Sequence, residues 1–578
     1  MEIKQIINEI ILTGKKINLF VQKHKKIFLF FIPFLIYLIL SLWFFGPNNV
    51  SDFKTKFFIP SSDPEFFTWL INWWPYSIIH HLNPFHTNYI WFKHGYNVLW
   101  LTSSPLLGLL MSPITLIFNA VVSFNILVIL SPILNALGMF YLLYYLSRKI
   151  LPSLIGGYIF GFSSFVISEL LGHTQLYFLV FIPLIILVII ARFNQDISKK
   201  WFLILSSLLL ICQFLVSIEI ITTFLSFLLL FGLLNLLFIK ANRKKIISLF
   251  KEYILSGLIA LVVLSPILYS MLIDYKYVSS QINSPVFFSI NLLNFIIPTQ
   301  LTYFGSSFFS NIASRFTGDI SEQGGYLTIP LILIIIFYLK SNWKKTITKV
   351  LGLMVLIIMI ASLGPSLHID GVDTKIPLPW IIIDHIPILK QALPSRTTVY
   401  IFFLASIITT LWLIQKNKFV VSFVKYLLAL SVIILLIPNL GGSAAWQPIL
   451  VPQYFKNISQ VVPTNSNQSL LILPYGRTGE GAYLQYISKL KFKLQDAPGF
   501  TPRIYQSNPL VQSFYNNTAL NNFNPNFIQY VKQNQIKATI CLNTTSPIII
   551  NELNQLNWPK RNLDNTIIYQ TPKQYLSS

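Results

Sequence analysis

The sequence is poor in charge, in acids and in cysteine. Only 11% of its 578 residues are charged while 54% are hydrophobic, which is more apolar surface than one soluble core can bury. Cys212 and Cys541 are too few for a disulfide framework or a cysteine-based metal site. A phosphate-cradling glycine motif is also absent, so a nucleotide-binding Rossmann domain is not expected. This composition excludes a disordered chain and indicates an integral membrane protein.

Long hydrophobic runs are what the sequence does contain. A helix needs about 20 mostly apolar residues to cross a bilayer, and eleven segments approach that length. The predicted spans are 27–46, 122–146, 152–171, 174–191, 201–218, 220–239, 253–272, 326–340, 350–363, 397–415 and 421–437. The first is too long for a cleavable signal peptide and is interpreted as an anchor. A further apolar segment, 103–119, is predicted to lie at or dip into the outer surface.

The basic residues report the orientation of these spans. Lys and Arg number 42 against 19 Asp and Glu, and 23 of the 42 fall in residues 1–26 and the alternate short loops, against 8 in the long loops. The positive-inside rule then predicts a cytoplasmic N-terminus and an extracytoplasmic C-terminus in a bacterial-type plasma membrane. Because the net charge of +23 reflects topology, no nucleic-acid binding is predicted.

The chain divides into three parts by composition. Residues 1–26 form a basic amphipathic segment suited to anionic cytoplasmic lipid. Residues 27–437 form the transmembrane bundle with a long first outer loop, 47–121. Residues 438–578 are polar, with strands predicted at 469–476, 489–495, 536–542 and 565–570. The predicted fold is therefore an α-helical polytopic membrane protein of about eleven spans with a C-terminal extracytoplasmic α/β domain.

The first outer loop contains the strongest candidate for chemistry. Asp63 is predicted to cap a helix that starts with Pro64 and has Glu65 in its first turn. Both acids could merely complement the helix dipole. Alternatively, Asp63 is a fixed carboxylate at the membrane surface, as a general base would require. The aromatic residues that follow are predicted to anchor the helix at the headgroup level: Trp69, Trp73, Trp74 and Tyr76.

Other polar residues lie near the outer ends of predicted spans. Arg396, at the start of the tenth span, is the first candidate to contact a phosphate, and Arg315 and Lys390 come next. A carboxylate near membrane depth is costly unless it faces a polar cavity, so Glu169 is a functional candidate. His173 is as well explained by a structural cap.

The sequence alone gives little support to a functional role for Glu219 or to a metal site formed by the histidines of the first outer loop. Glu219 lies in a turn between the fifth and sixth spans that water could reach. Four histidines share the first outer loop, but their spacing matches no metal-ligand pattern, so no zinc site is predicted. They are His80, His81, His86 and His94.

Several features together resemble the GT-C glycosyltransferases. These are the anchor helix, the acidic opening Asp63-Pro64-Glu65 of a long first outer loop, a surface helix, a second span ending in Arg148-Lys149, and the α/β tail. Residues 61–115 and the third span, with Gly156-Gly157 and later Gly172-His173, look closer still to uncharacterised bacterial membrane proteins of the YfhO type. The resemblance covers most of the membrane region, and only the acidic opening is a catalytic signature.

The resemblance implies a function and roles for the residues. Such enzymes use polyprenyl-phosphate-linked sugars, and Asp63 would be the first-loop acid that deprotonates an acceptor or, in oligosaccharide-transferring members, helps to hold a divalent metal. Glu65 would be its neighbour in the motif and assist it. From their charge and their position near the outer surface, four further residues are predicted to bind substrate: Arg396, Glu169, His173 and Arg315. The Trp-Trp-Asp-Tyr-Gly motif of oligosaccharyltransferases is absent, since Pro75 follows Trp73-Trp74, so N-glycan transfer is not expected.

The expected activity is transfer of a sugar from a polyprenyl-phosphate donor to a glycan or protein acceptor outside the cytoplasm. No cofactor is required by this reaction, and a divalent metal is left open. The alternative is a non-enzymatic transporter or a protein that handles lipids or glycans. A transporter should carry polar residues at mid-span on several helices, and Gln213 is one of few.

Overall fold

A computed structural model of the protein describes most of the chain. The described residues are 25–59, 62–239, 243–278, 283–305, 308–386, 389–440, 445–465, 467–475, 480–496 and 501–576. The predicted cytoplasmic segment 1–26 lies outside them, except for Lys25 and Lys26, at which the first helix begins.

Apolar α-helices make up the first three quarters of the fold. The longer ones are Lys25–Phe45, Ser62–Ile79, Pro105–Ile117, Ala120–Ser147, Ile150–Gly161, Phe181–Phe193, Lys199–Val216, Ile218–Phe238, Arg243–Asp274, Ile329–Asn342, Thr346–Ser362, Thr398–Leu413 and Phe419–Leu435. Many of their outward-facing side chains are exposed Leu, Ile, Val and Phe. A soluble protein rarely exposes that much apolar surface, and this is the surface expected of helices that face lipid.

Seven helices in the described part of the chain are long and apolar enough to cross a membrane. They are Ala120–Ser147, Ile150–Glu169, Thr174–Phe193, Lys199–Val216, Ile218–Phe238, Arg243–Tyr277 and Pro394–Leu413. The other four predicted spans coincide with shorter apolar helices of 10–17 residues. The helix Pro105–Ile117 has 13 residues, about 20 Å of rise, and is too short to cross about 30 Å of hydrocarbon. Because four of the eleven predicted spans are shorter helices, the number of crossings stays a prediction.

The third and fourth predicted spans are interrupted at the ends where they meet. The helix Ile150–Gly161 ends, and Ser163 caps a separate short helix, Ser164–Glu169, by accepting a hydrogen bond from Val166 N. A second short helix, Thr174–Tyr177, precedes Phe181–Phe193. At these breaks the backbone leaves the regular helical hydrogen-bonding pattern. The side chains between the two spans point mostly into the protein interior.

A five-stranded mixed sheet forms the centre of the tail. In spatial order its strands are Lys560–Leu563, Thr566–Gln570, Ile536–Cys541, Ser469–Leu473 and Lys493–Leu494. The first three pair antiparallel and the last three parallel. The main helices beside it are Glu480–Ile487, Pro509–Tyr515, Phe523–Asn534 and Pro547–Gln555. Four of the five strands lie within the predicted segments, because buried strands of Leu, Ile and Val are marked by apolar runs. The location of this region outside the cytoplasm stays a prediction.

The first outer loop is hydrogen-bonded to the tail. Leu494 N donates to Tyr89 O at 2.7 Å, and Phe92 N donates to Leu494 O at 3.1 Å, so the loop lies against the edge of the sheet. Trp69 Nε1 donates to Gln485 Oε1 at 2.7 Å. The tail therefore holds the helix Ser62–Ile79, here called the first-loop helix.

The prediction that the tryptophans of this helix lie at the headgroups is wrong. Trp69, Trp73 and Trp74 are at most 2% exposed. Trp69 and Trp73 stack with their ring centroids 5.5 Å apart, and a Cβ on Gly108 would lie 2.1 Å from the Trp74 ring. The tail and the helix Pro105–Ile117 cover this face, and a run of tryptophans cannot by itself reveal partners so distant in sequence.

Candidate functional site

Asp63 projects from the start of the first-loop helix towards the loop between the third and fourth spans. The helix begins at Ser62, so Asp63 lies within its first turn rather than capping it as predicted. Asp63 Oδ2 is 3.2 Å from His173 Nε2, and the Asp63 side chain is 45% exposed. A Cβ on Gly172 would lie 2.6 Å from Asp63 Cβ. Glycine at position 172 is therefore what allows this close approach.

His173 joins Asp63 to a second carboxylate. His173 Nδ1 lies 2.6 Å from Glu169 Oε2, and the Glu169 side chain is only 1% exposed. Burial alone would lower the pKa of His173, but its hydrogen bonds and charge interactions with Asp63 and Glu169 raise that pKa well above the ordinary value. The two carboxylates therefore favour the protonated ring, in which each N–H can donate to one of them.

Arg396 ties two further acids into the same region. Its Nη2 and Nε donate to Glu322 Oε1 at 2.5 and 2.9 Å, and its Nη1 donates to Glu219 Oε2 at 2.5 Å. Ser395 Oγ donates to Glu322 Oε2 at 2.7 Å. Burial raises the pKa of Glu322, but the charge of Arg396 and of His173 outweighs it and lowers the pKa below its ordinary value. Glu322 is thus ionised although it is buried.

The two groups of side chains meet in one place. One ligand atom each from Glu169, His173 and Glu322 lies within 4.8 Å of the others. Ser164 Oγ donates to the carbonyl of Gly324 at 2.8 Å, which holds the loop after Glu322 against the short helix Ser164–Glu169. We call the six side chains the carboxylate cluster: Asp63, Glu169, His173, Glu219, Glu322 and Arg396.

The charges of the cluster suit a divalent cation. Four carboxylates face two basic groups, Arg396 and His173, so acids outnumber bases in the cluster. Two ligand atoms of one ion with bonds of about 2.0–2.6 Å are at most about 4–5 Å apart, and the ligand atoms of Glu169, His173 and Glu322 lie within 4.8 Å of one another. Carboxylate and imidazole together are donors that divalent metals accept. The residues present therefore fit such an ion.

Four of the six residues predicted for the site are in the cluster: Asp63, Glu169, His173 and Arg396. Arg315 is not among them. Its guanidinium makes an ion pair with Asp370, with Nη2 2.7 Å from Oδ1, and the pair is about half exposed. The structure therefore places Arg315 outside the carboxylate cluster, and its predicted contact with substrate stays a prediction.

Glu65 also points elsewhere, contrary to the prediction that it assists Asp63. Residues two apart on a helix project to opposite sides, and Glu65 faces Glu480 of the tail. Burial, and then the charge of Glu480, raise the pKa of Glu65 to about 9. Its Oε2 is buried and has no hydrogen-bond partner among the described residues. Glu65 is therefore a neutral acid at the junction with the tail.

The sequence did not single out Glu322, and it undervalued Glu219. Glu322 lies in the long segment 273–325, which has no periodic pattern, and its partner Arg396 follows 74 residues later. Glu219 is an acid in the first turn of Ile218–Phe238, a position that the helix dipole alone would explain. The spacing of Glu169 and His173, four residues apart, was the one local signal that two members would meet.

An apolar cleft lies beside the loop that follows Glu322, and Tyr326 of that loop is part of its wall. The cleft has a volume of about 620 Å³. Its lining residues are Ile296, Pro298, Tyr303, Phe304, Phe308, Phe309, Tyr326, Ile329 and Leu435. Ser164 Oγ donates to the carbonyls of both Gly324 and Tyr326, so the wall of this aromatic cleft and the carboxylate cluster share one loop. The cleft has the apolar lining that an isoprenoid chain needs.

Comparisons with known proteins agree with this architecture. A family described as a domain of unknown function (DUF6311) matches residues 34–437. Among curated proteins, none matches the sequence significantly.

Solved structures of similar fold are GT-C glycosyltransferases. The oligosaccharyltransferase AglB of Archaeoglobus fulgidus, in complex with an inhibitory peptide and a dolichol-phosphate, is similar with a TM-score of 0.55 and 11% identity over 90% of this chain and 70% of that one. The mycobacterial arabinofuranosyltransferase AftD is similar with a TM-score of 0.51 and 12% identity over 89% of this chain and 35% of that one. At these identities the likeness shows the fold alone.

Proposed function

We propose that this chain, which belongs to the DUF6311 family and has a GT-C fold, is a membrane glycosyltransferase. It would transfer a sugar from a polyprenyl-phosphate-linked donor to a glycan or protein acceptor outside the cytoplasm. One observation carries the proposal: a half-exposed carboxylate, Asp63, belongs to an otherwise buried charged cluster that shares a loop with an aromatic cleft.

The transfer places three requirements on the protein. A lipid phosphate is a good leaving group, so the enzyme must aim an acceptor hydroxyl at the anomeric carbon, accept its proton, and stabilise the charge that develops on the phosphate. The oxygen–carbon bond to the acceptor forms as the bond from the anomeric carbon to the phosphate oxygen breaks. The lipid phosphate leaves with the bonding electrons.

Asp63 is the best-placed proton acceptor. Its side chain is 45% exposed, whereas those of Glu169 and Glu322 are at most 2% exposed, so an acceptor can reach Asp63 most easily. Burial raises the pKa of Asp63, but the hydrogen bond from His173, its charge and that of Arg396 lower it overall. Asp63 is thus ionised at neutral pH, and it accepts the proton as the hydroxyl becomes acidic during attack.

His173 and Arg396 hold the acids in position. His173 fixes Asp63 against Glu169 through its two ring nitrogens. Arg396 uses three of its five N–H groups on Glu219 and Glu322. The remaining two are available to a phosphate oxygen, so its predicted contact with the donor stays part of the proposal.

A divalent cation belongs to the same proposal. Glu169, His173 and Glu322 would hold it, His173 through a ring nitrogen that gives up its proton, and when bound it would neutralise negative charge on the departing phosphate. The supporting observations are the excess of acids over bases in the cluster and the spacing of these three ligand atoms. The aromatic cleft would take the isoprenoid chain, and the similar AglB structure was solved with dolichol-phosphate.

The test is Asp63→Asn in cells that lack the chromosomal gene. We expect cells with this variant to lose the sugar from envelope glycans and to accumulate its lipid-linked donor, while the variant protein stays at wild-type abundance in the membrane. The matched control is Asp319→Asn, which changes an exposed acid of the segment that carries Glu322. Unchanged glycans in the Asp63→Asn cells would contradict the proposal. Donor trapped on the cytoplasmic face would favour the transporter alternative.

A further inference from the structure

A second cavity lies at the other end of the first-loop helix. It encloses about 200 Å³ and draws its walls from three parts of the chain. They are a hairpin of the first outer loop (His86, His94, Gly95, Tyr96, Asn97 and Trp100), the end of the helix Arg243–Asp274 with its extension (Asp274, Tyr277 and Val278), and the tail (Pro502 and Ile504). We call it the hairpin cavity, and we propose that it binds one neutral sugar ring of the glycan substrate.

The polar groups of the hairpin cavity are fixed in place. Asn97 Nδ2 donates to Asp274 Oδ2 at 2.9 Å and to the Ser270 carbonyl at 3.0 Å. Asn97 Oδ1 accepts from Leu99 N at 3.0 Å. The carboxylate of Asp274 is thereby held at the cavity wall with its other oxygen outside these contacts. A binding group that is already oriented loses little entropy when a ligand arrives.

The rings of the hairpin cavity are fixed as well. Trp100 Nε1 donates to Met271 O at 3.1 Å, and the Trp100 ring packs against Tyr275 with centroids 5.7 Å apart. His94 packs edge-on against Tyr505 of the tail, also at 5.7 Å. The cavity is therefore lined by aromatic rings beside hydrogen-bonding groups, and these two features complement the C–H faces and the hydroxyl rim of a sugar ring.

The charge of the lining disfavours anionic ligands and purely apolar ligands. Among the described residues that line the cavity there is one carboxylate, Asp274, and no Lys or Arg. A phosphate or carboxylate ligand would be repelled by Asp274. A lipid chain would desolvate the second oxygen of Asp274 and the rings of His86 and His94 without offering them hydrogen bonds, which is unfavourable. A neutral polyhydroxylated ligand is not repelled by Asp274 and can form hydrogen bonds with these polar side chains.

The size indicates a single ring. A volume of 200 Å³ is smaller than the 300–1,000 Å³ or so of pockets for drug-sized ligands and equals the space of about seven liquid waters. The cavity also has an exposed rim, because His94 and Tyr277 reach solvent. A sugar unit bound there can therefore be part of a longer chain that continues outside.

The hairpin cavity and the carboxylate cluster lie at different points along the first-loop helix. Trp74 packs with Leu99, Met271 and Trp100 beside the cavity, and it lies eleven residues after Asp63 on the first-loop helix, a rise of about 16 Å. A ligand that reached both places would span several sugar rings. That reading rests on the proposed function and narrows its substrate to an oligosaccharide or polysaccharide held at two points.

The tail also contributes to the hairpin cavity. Pro502 and Ile504 complete one wall, and the neighbouring Tyr505 stacks on Trp91 of the first outer loop at 5.2 Å. The hairpin cavity is therefore complete only when the tail is docked on the membrane region.

The test is saturation-transfer NMR on the full-length protein in lipid nanodiscs. The probes are glucose, galactose, mannose, rhamnose, arabinose and N-acetylglucosamine, each added as the free sugar. The variant is His94→Ala with Asp274→Asn, and the matched control is His385→Ala with Asp319→Asn, which alters an exposed His and an exposed Asp outside the cavity. Because each lost hydrogen bond to a charged group weakens binding by about tenfold or more, the affinity of the variant should fall by at least that factor.

The outcomes separate this inference from the proposed function. We expect at least one sugar to bind the wild type, the control and Asp63→Asn equally, and to bind the cavity variant about tenfold more weakly or not at all. In a transfer assay, the cavity variant should raise the KM for the glycan with kcat nearly unchanged. Binding that is equal in the cavity variant and the wild type, or absent from the wild type, overturns the inference. Sugar binding that persists while Asp63→Asn leaves glycans unchanged overturns the proposed function alone.

Discussion

Substituting Glu65 by Gln tests the placement of this residue at the junction with the tail. Burial and the charge of Glu480 raise its pKa from 4.5 to about 9. An acid whose pKa is higher in the folded than in the unfolded chain binds its proton more tightly when folded. The stability it contributes is therefore complete below pH 4.5, falls as pH rises between 4.5 and 9, and is constant above that range.

The size of the effect follows from the same two values. Each pH unit between them lowers the free energy of unfolding by about 1.4 kcal/mol. At pH 7 the ionisable carboxyl therefore costs up to about 3 kcal/mol, and partial access of water reduces this to about 1–3 kcal/mol. Glutamine has the shape of the protonated acid and no such dependence, so Glu65→Gln should stabilise the docked tail at neutral pH and have little effect at pH 5.

The assay is thermal unfolding of the detergent-solubilised protein between pH 5 and pH 9. The difference in Tm between Glu65→Gln and the wild type should grow with each step in pH, while transfer activity stays intact. The matched control is Glu552→Gln, in the tail helix Pro547–Gln555, which should follow the wild type at every pH. A difference in Tm that is the same at pH 5 and pH 9 would refute the reasoning. A loss of transfer as severe as that of Asp63→Asn would return Glu65 to the reaction centre.

Two more predictions concern the carboxylate cluster. Gly172→Ala should reduce the transfer rate about tenfold or more at unchanged protein abundance, because its Cβ would come within 2.6 Å of Asp63 Cβ and displace that carboxylate; Gly232→Ala, with nothing within 4 Å of its Cβ, should be harmless, and equal rates for the two variants would contradict the account. A chelator should abolish transfer and Mn²⁺ should restore it, with a higher Mn²⁺ requirement in Glu322→Gln; full activity in excess chelator would rule out the proposed cation.

The membrane region was largely readable from the sequence, and the reason is physical. Burial in lipid requires long apolar runs, and such runs are visible without knowledge of their partners. The segment 103–119 illustrates this, since both its prolines and the charge pattern argue against a crossing, and the structure shows a helix of 13 residues there, Pro105–Ile117, whose position in the membrane stays a prediction.

The site could be read only where its signals are local. Asp63 stood out as an acid beside Pro64 at a helix start, and Glu169 and His173 are one helical turn apart. Glu322 could not be found in this way, because its contacts with Ser395 and Arg396 join residues more than 70 positions apart.

Two residues of the first-loop helix lie elsewhere than predicted for one reason. Glu65 was assigned to the reaction, and Trp69 to the headgroups, because the sequence does not show that the tail covers this helix. The contact of Trp69 with Gln485 spans 416 residues. Glu65 and Glu480 are equally remote in sequence. Proximity in a motif is not proximity in space when the two residues lie on opposite faces of a helix.

The most direct test of the central claim is the release of polyprenyl phosphate by the purified protein. The protein is reconstituted into vesicles with lipid-linked saccharides extracted from cells that lack the gene, an acceptor glycan is added, and the freed lipid phosphate is measured over time. We expect release by the wild type and by Asp319→Asn, and release at least about 100-fold slower by Asp63→Asn, the usual contribution of a positioned proton acceptor. Equal rates for Asp63→Asn and the wild type, or no release by the wild type, would contradict the account.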